Sequence, residues 1–182
     1  MQRFSLNGAW VLHGPEPYHT VAASVPGCVH LDLMAAGLLN DLNFRDQEKD
    51  QFFIGETDWR YRREFDLTPE LLAHERVLLR CAGLDTLATI RINDMIVGYA
   101  DNMFRQWEFD VKSFLLPGRN FIEVFFAAPM PYLRQMEAEK GALYAWGIGE
   151  HRLNSGAWLR KEPCNYGWDW GPESVTSGIW RT

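Results

Sequence analysis

The nine residues CNYGWDWGP, Cys164 to Pro172, set a single carboxylate, Asp169, among Tyr166, Trp168 and Trp170. A hydrophobic core favours such aromatics without the charge, and a solvated loop favours the charge without the aromatics. Both together suit a surface that grips a polar ligand with a flat apolar face. Gly167 and Gly171 admit backbone angles closed to other residues, and Pro172 stiffens the exit, so the segment can hold its side chains in one pose. A structural alternative pairs Asp169 with Arg160 or Lys161.

Other chemistries find little support. His13, His19, His30, His74 and His151 show neither HxxxH nor HxH spacing, so neither a structural metal site nor a cofactor is expected. Cys28, Cys81 and Cys164 are widely spaced and include no CxxC pair, the usage of buried thiols in a reducing compartment. The net charge is −6 and no Lys/Arg stripe runs along the chain, which argues against a nucleic-acid partner. No apolar run approaches the ~20 residues of a membrane span. The opening MQRFSLNGAW lacks an apolar signal core. A cytoplasmic protein with no membrane partner is the expectation.

The elements that must position Asp169 read mostly as strands. Tyr61, Arg63, Phe65 and Leu67 share one face of YRREFDL, with the arginine interrupting an apolar stripe. ATIRI (88–92), WEFDV (107–111) and FIEVFF (121–126) alternate in the same way, and VLLRCA (77–82) is an apolar run of strand length. Asn93-Asp94 predicts a tight hairpin and Pro117-Gly118 a type II turn. Short strands punctuated by turns indicate an all-β sandwich or barrel. Residues 28–39 and 131–142 carry helical spacing and helix boundary signals. With 182 residues, 47% of them hydrophobic, the chain suffices for one packed domain. Tryptophan crowds toward its end: Trp146, Trp158, Trp168, Trp170 and Trp180 fall in the last 37 residues. Trp158 and Trp180 are assigned to the core, and Phe104 and Trp107 of DNMFRQW (101–107) are expected to pack inward.

Five blocks in order resemble the β-mannosidase branch of family 2 glycoside hydrolases: SLNGAW (5–10), VPGCVHLDLMAAGLL (25–39), DWRYRREFDL (58–67), GLDTLATIRINDMIVGYADNMFRQWEFDV (83–111) and YGWDWGPESVTSGIWR (166–181). The resemblance spans nearly the whole chain. It implies a jelly-roll, galactose-binding-domain-like β-sandwich with one or two short helices, over residues 1–182. In that family an immunoglobulin-like sandwich and a (β/α)₈ barrel follow, and SGIWR lies at the exit of the first domain. The chain is therefore read as the N-terminal sugar-binding domain of a larger enzyme.

The resemblance also divides the labour. Retaining glycosidases use two carboxyls ~5–5.5 Å apart, and in this family both come from the barrel, the acid/base following an asparagine. No Asn-Glu dipeptide occurs here, so no catalytic residue is assigned and the chain alone is expected to be inactive. The residues matching the loop that reaches the family's substrate pocket are Trp168 and Asp169. The indole would stack on a pyranose, and the carboxylate would accept hydrogen bonds from its hydroxyls. Asp58 and Trp59 match, more loosely, a second loop that approaches the sugar, and the alternative for Asp58 is a turn or strand cap. The implied partners are a terminal β-mannoside and the remaining domains of the same polypeptide. Phe52-Phe53 and Glu173 depart from the family pattern. The alternatives are a β-galactosidase or β-glucuronidase relative, against which WDWGP argues, and a free-standing carbohydrate-binding module. The oligomeric state is not legible.

Overall fold

The computed structural model describes residues 2–18, 20–143, 156–168 and 171–181. Among these, twelve strands and four short helices build the fold. The strands are β1 (Gly8–His13), β2 (Thr20–Val25), β3 (Trp59–Leu67), β4 (Leu78–Cys81), β5 (Gly83–Asp85), β6 (Ala88–Ile92), β7 (Met95–Ala100), β8 (Trp107–Asp110), β9 (Gly118–Phe126), β10 (Tyr166–Trp168), β11 (Gly171–Glu173) and β12 (Gly178–Arg181). The helices are α1 (Val29–Ala35), α2 (Gln47–Gln51), α3 (Pro69–Leu72) and α4 (Pro129–Lys140).

Six strands form one sheet in the order β2-β1-β3-β9-β6-β7, and three two-stranded pairs, β4-β8, β5-β12 and β10-β11, complete the β-structure. All of these pairings are antiparallel. Alternation explains the layering. In β3 the buried positions are Trp59, Tyr61, Phe65 and Leu67, and in β9 they are Asn120, Ile122, Val124 and Phe126. The inner face of the large sheet and residues of the smaller pairs, Leu84 and Ile179 among them, share one apolar cluster. The result is the jelly-roll type of β-sandwich that the sequence implied.

The turn chemistry falls where the sequence put it. Asn93 and Asp94 both have positive φ, 51° and 65°, between β6 and β7. Arg63 breaks the apolar stripe of β3 for a reason: Nη1 donates to the carbonyls of Leu6 and Asn7 at 2.8 and 2.6 Å, holding the N-terminal segment against the sheet. Helix α1 is shorter than the apolar spacing suggested, ending before Gly37 at φ 71°. It buries a carboxylate as well as apolar groups. Asp32 Oδ2 accepts from the Tyr61 hydroxyl at 2.6 Å and Oδ1 from the Ser24 amide at 2.9 Å, a staple joining α1, β2 and β3. Helices α2 and α3 were not expected, because five and four residues are too few to show an apolar period.

A second apolar cluster stands apart from the first. Phe52, Met130, Leu133, Leu159, Tyr166 and Val175 form it, with Trp158 and Tyr132 packed alongside. Tyr166 of the CNYGWDWGP segment is part of this smaller core.

Candidate functional site

The candidate segment is rooted by a hairpin and by a buried charge pair. In the hairpin, Tyr166 pairs with Glu173 and Trp168 with Gly171. The two positions between that second pair, Asp169 and Trp170, lie outside the described residues. Gly167 adopts φ 96°, a left-handed conformation that a Cβ would disfavour. Gly171 does not, so only one of the two glycines is there for its backbone freedom. Tyr166 is turned into the smaller core, 7% exposed. It is thus a support of the segment rather than a ligand-facing ring.

Beneath the hairpin lies Lys161, whose side chain has no solvent exposure. Its ammonium donates to Asp85 Oδ1 and Oδ2 at 2.7 and 2.5 Å and to the Thr176 carbonyl at 2.9 Å, and Thr176 Oγ1 is also 2.9 Å away. The hydroxyl of Thr176 has one proton, and its short contact is to Asp85 Oδ2 at 2.5 Å; Asn165 Oδ1 is 3.3 Å off. The Thr86 hydroxyl donates to Asp85 Oδ1. Asp85 therefore has about four lone-pair sites matched by four donors. That degree of satisfaction is what a dry ion pair requires, since taking each charge out of water costs several kcal/mol. Burial pulls the Lys161 ammonium below the usual lysine range, and the charge of Asp85 opposes the pull. Lys161 is thus committed to Asp85 and Thr176; Asp169, for which the sequence offered it as a structural partner, lies outside the described residues. Main-chain bonds pin the same stretch from the other side: Met103 N–H donates to the Arg160 carbonyl at 3.0 Å.

The sequence missed this pair. Its only local signs were an aspartate framed by apolar residues in AGLDTLA and a lysine two residues after Leu159.

Of the four assigned residues, Trp168, Asp58 and Trp59 are described and Asp169 lies outside the described residues. Trp168 is half-buried at the end of β10. Asp58 is exposed and adjoins a shallow depression also lined by Thr57, Tyr132 and Gln135. Its Oδ1 accepts from the Ala128 amide at 2.8 Å, tethering the chain where α4 begins. Trp59 is a correction. It is 0% exposed, its indole N–H donates to the Ile54 carbonyl at 3.0 Å, and its ring sits against Tyr18 and Phe53. It has no face left on which a sugar could stack. The reason is the strand itself: neighbours at the start of β3 point to opposite sides, so Asp58 outward means Trp59 inward. Phe53, one of the departures from the family pattern, stacks on Tyr18 with ring centroids 4.8 Å apart.

The remaining aromatics divide. Trp158 and Trp180 are half-buried and satisfied, donating to the carbonyls of Gly141 and Met103 at 3.0 and 3.1 Å. Phe104, expected inside, is 52% exposed, while Trp107 packs against the main core under the Arg105 guanidinium. The described residues contain no group of side chains able to hold a metal ion, and the three cysteines form no disulfide.

Comparison with known proteins places this geometry. Residues 10–181 match the family described as glycosyl hydrolase 2 galactose-binding domain-like. A β-mannosidase of Capra hircus is 34% identical over 97% of the chain, and β-mannosidase B of Aspergillus niger is 35% identical over 86%. The crystal structure of the β-D-mannosidase of Dictyoglomus thermophilum superposes over 100% of the chain with a TM-score of 0.88 and 36% identity. The chain spans about a fifth of each: 20%, 18% and 22%.

Proposed function

The chain belongs to the glycosyl hydrolase 2 galactose-binding domain-like family, and from that premise we propose that it works as the N-terminal, substrate-positioning domain of a retaining β-mannosidase. The parent reaction is hydrolysis of terminal β-D-mannosides. Its two carboxyls are supplied by other domains of the same polypeptide, and this domain forms one wall of the pocket. The observation that carries the reading is the chain-long likeness to a β-D-mannosidase, TM-score 0.88 at 36% identity.

Within that reading Trp168 and Asp169 meet the sugar. A half-buried indole offers one face to the C–H surface of a pyranose. The neighbouring carboxylate accepts from two sugar hydroxyls, each such charge-assisted bond contributing about 1.5–3 kcal/mol. Asp58 takes a secondary part, through the carboxylate oxygen not used by Ala128. Three thiols that form no disulfide support a reducing, cytoplasmic setting.

The test is a substrate panel on the intact polypeptide that carries this domain. Hydrolysis of p-nitrophenyl β-D-mannoside with retention, at least a hundredfold above the β-galactoside and β-glucuronide, is the expected result. Preference for either of the other two sugars overturns the assignment.

A further inference from the structure

The Lys161–Asp85 pair is buried, so it is not placed to touch a ligand directly. Its contacts run instead to the Thr176 end of the segment that carries Trp168, and Lys161 itself stands four residues before the Asn165 end. Thr176 closes the segment and gives the pair both its carbonyl and its hydroxyl. Asn165 opens the segment; its carbonyl accepts from Ser174 N–H at 2.9 Å, and its Oδ1 lies 3.3 Å from the same Thr176 hydroxyl. Just beyond, the carbonyls of Ser177 and Ile179 accept from the amides of Val29 and Gly27, both at 2.9 Å, locking the exit to the start of α1.

We propose that Lys161 and Asp85 are positioning residues for sugar recognition: the buried pair fixes where residues 165–176 leave and rejoin the sandwich, and so sets the pose of Trp168. This rests on the reading that the segment contacts a sugar. Apolar packing under the hairpin is non-directional and by itself fixes no orientation of the main chain. A desolvated ammonium fixes one. Its three protons need three acceptors in fixed directions, and one of those acceptors is the backbone of Thr176 itself. Displacing the end of the segment would strand a buried charge, so one arrangement is selected over its neighbours.

Two readouts on the intact polypeptide test this. The Asp85→Leu/Lys161→Met double variant removes the pair without leaving either charge alone. Hydrogen–deuterium exchange is expected to accelerate at least tenfold within 165–176 while β3 and β9 stay unchanged. KM for p-nitrophenyl β-D-mannoside is expected to rise at least fivefold with kcat within a factor of two. Thr176→Val, which deletes only the shared hydroxyl, is expected to move both in the same direction about threefold, and Thr176→Ser to restore them. It carries the test should the double variant not fold. Unchanged exchange, or faster exchange with unchanged KM, overturns the proposal. Asp169→Ala run beside these separates the two readings. If it lowers activity and the pair variants do not, positioning alone has failed. If it too is silent, the sugar site has failed and the proposal falls with it.

Discussion

Lys161 and Asp85, 76 positions apart in the chain, form a doubly hydrogen-bonded ion pair whose side chains are 0% and 3% exposed. Removing one partner leaves the other charge buried and unanswered. Lys161→Met alone should therefore destabilise the chain by about 3–5 kcal/mol. Adding Asp85→Leu should recover most of that loss. Urea unfolding of the single and double variants reads both, and equal stability of Lys161→Met and wild type would show that the pair contributes nothing.

The Tyr61 hydroxyl and Asp32 give a second, smaller prediction. Tyr61→Phe keeps the ring and its edge-on packing against Phe126, but deletes the donor to a buried carboxylate. A hydrogen bond to a charged acceptor contributes about 1.5–3 kcal/mol. The unfolding midpoint should fall accordingly, with the denaturant m-value unchanged.

His30 should make stability depend on pH. Burial, and then the nearby Lys161 ammonium, lower its imidazole to about 4, with Asp85 acting the other way. Unfolded, it titrates near 6.5. Above that pH neither state is charged and the full stability is present. As pH falls from about 6.5 to about 4, the unfolded chain takes up a proton that the native state refuses, and stability drops by about 3 kcal/mol. Below the lower value the loss stops growing. His30→Leu should flatten this part of the profile. Asp32, whose carboxyl is raised by burial, titrates in both proteins and cancels in the comparison. Parallel profiles would assign the pH dependence to other groups.

Gly167 tests the backbone of the hairpin. At φ 96° an alanine costs about 1–2 kcal/mol. The strain sits one residue before Trp168, so Gly167→Ala should lower kcat/KM on a β-mannoside even where thermal unfolding shows most molecules folded. Full activity would mean that the pose of Trp168 is immaterial.

Asp169→Ala in the intact polypeptide should lower kcat/KM at least tenfold, a loss of about 1.4 kcal/mol of transition-state stabilisation. An unchanged value at unchanged stability would place Asp169 outside the site.

The sheet was legible because its cause is local. Period-two alternation in 61–67, 88–92 and 121–126 and the turn residues Asn93, Asp94 and Gly118 are each read within a few positions, and each falls in or beside the strands found there. The interior polar contacts were not. Nothing near Arg63 announces that it will reach the carbonyls of Leu6 and Asn7. Nor does the vicinity of Asp85 name Lys161, since partners are chosen by the closed fold. Asp58 and Trp59 show a different failure. Both come from a loose match to a family loop that approaches the sugar, whereas neighbours at the start of a strand send their side chains to opposite faces. For Trp168 the sequence identified the segment; its burial state came only with the hairpin, and Asp169 lies outside the described residues.

The two apolar clusters draw on different segments of the chain. None of the buried members of the smaller one lies in a strand of the six-stranded sheet: Phe52 comes from the turn after α2, Met130 and Leu133 from α4, and Leu159, Tyr166 and Val175 from the last part of the chain. Truncating Leu133 or Leu159 should therefore loosen the support of Tyr166 before it disturbs the packing of the sheet.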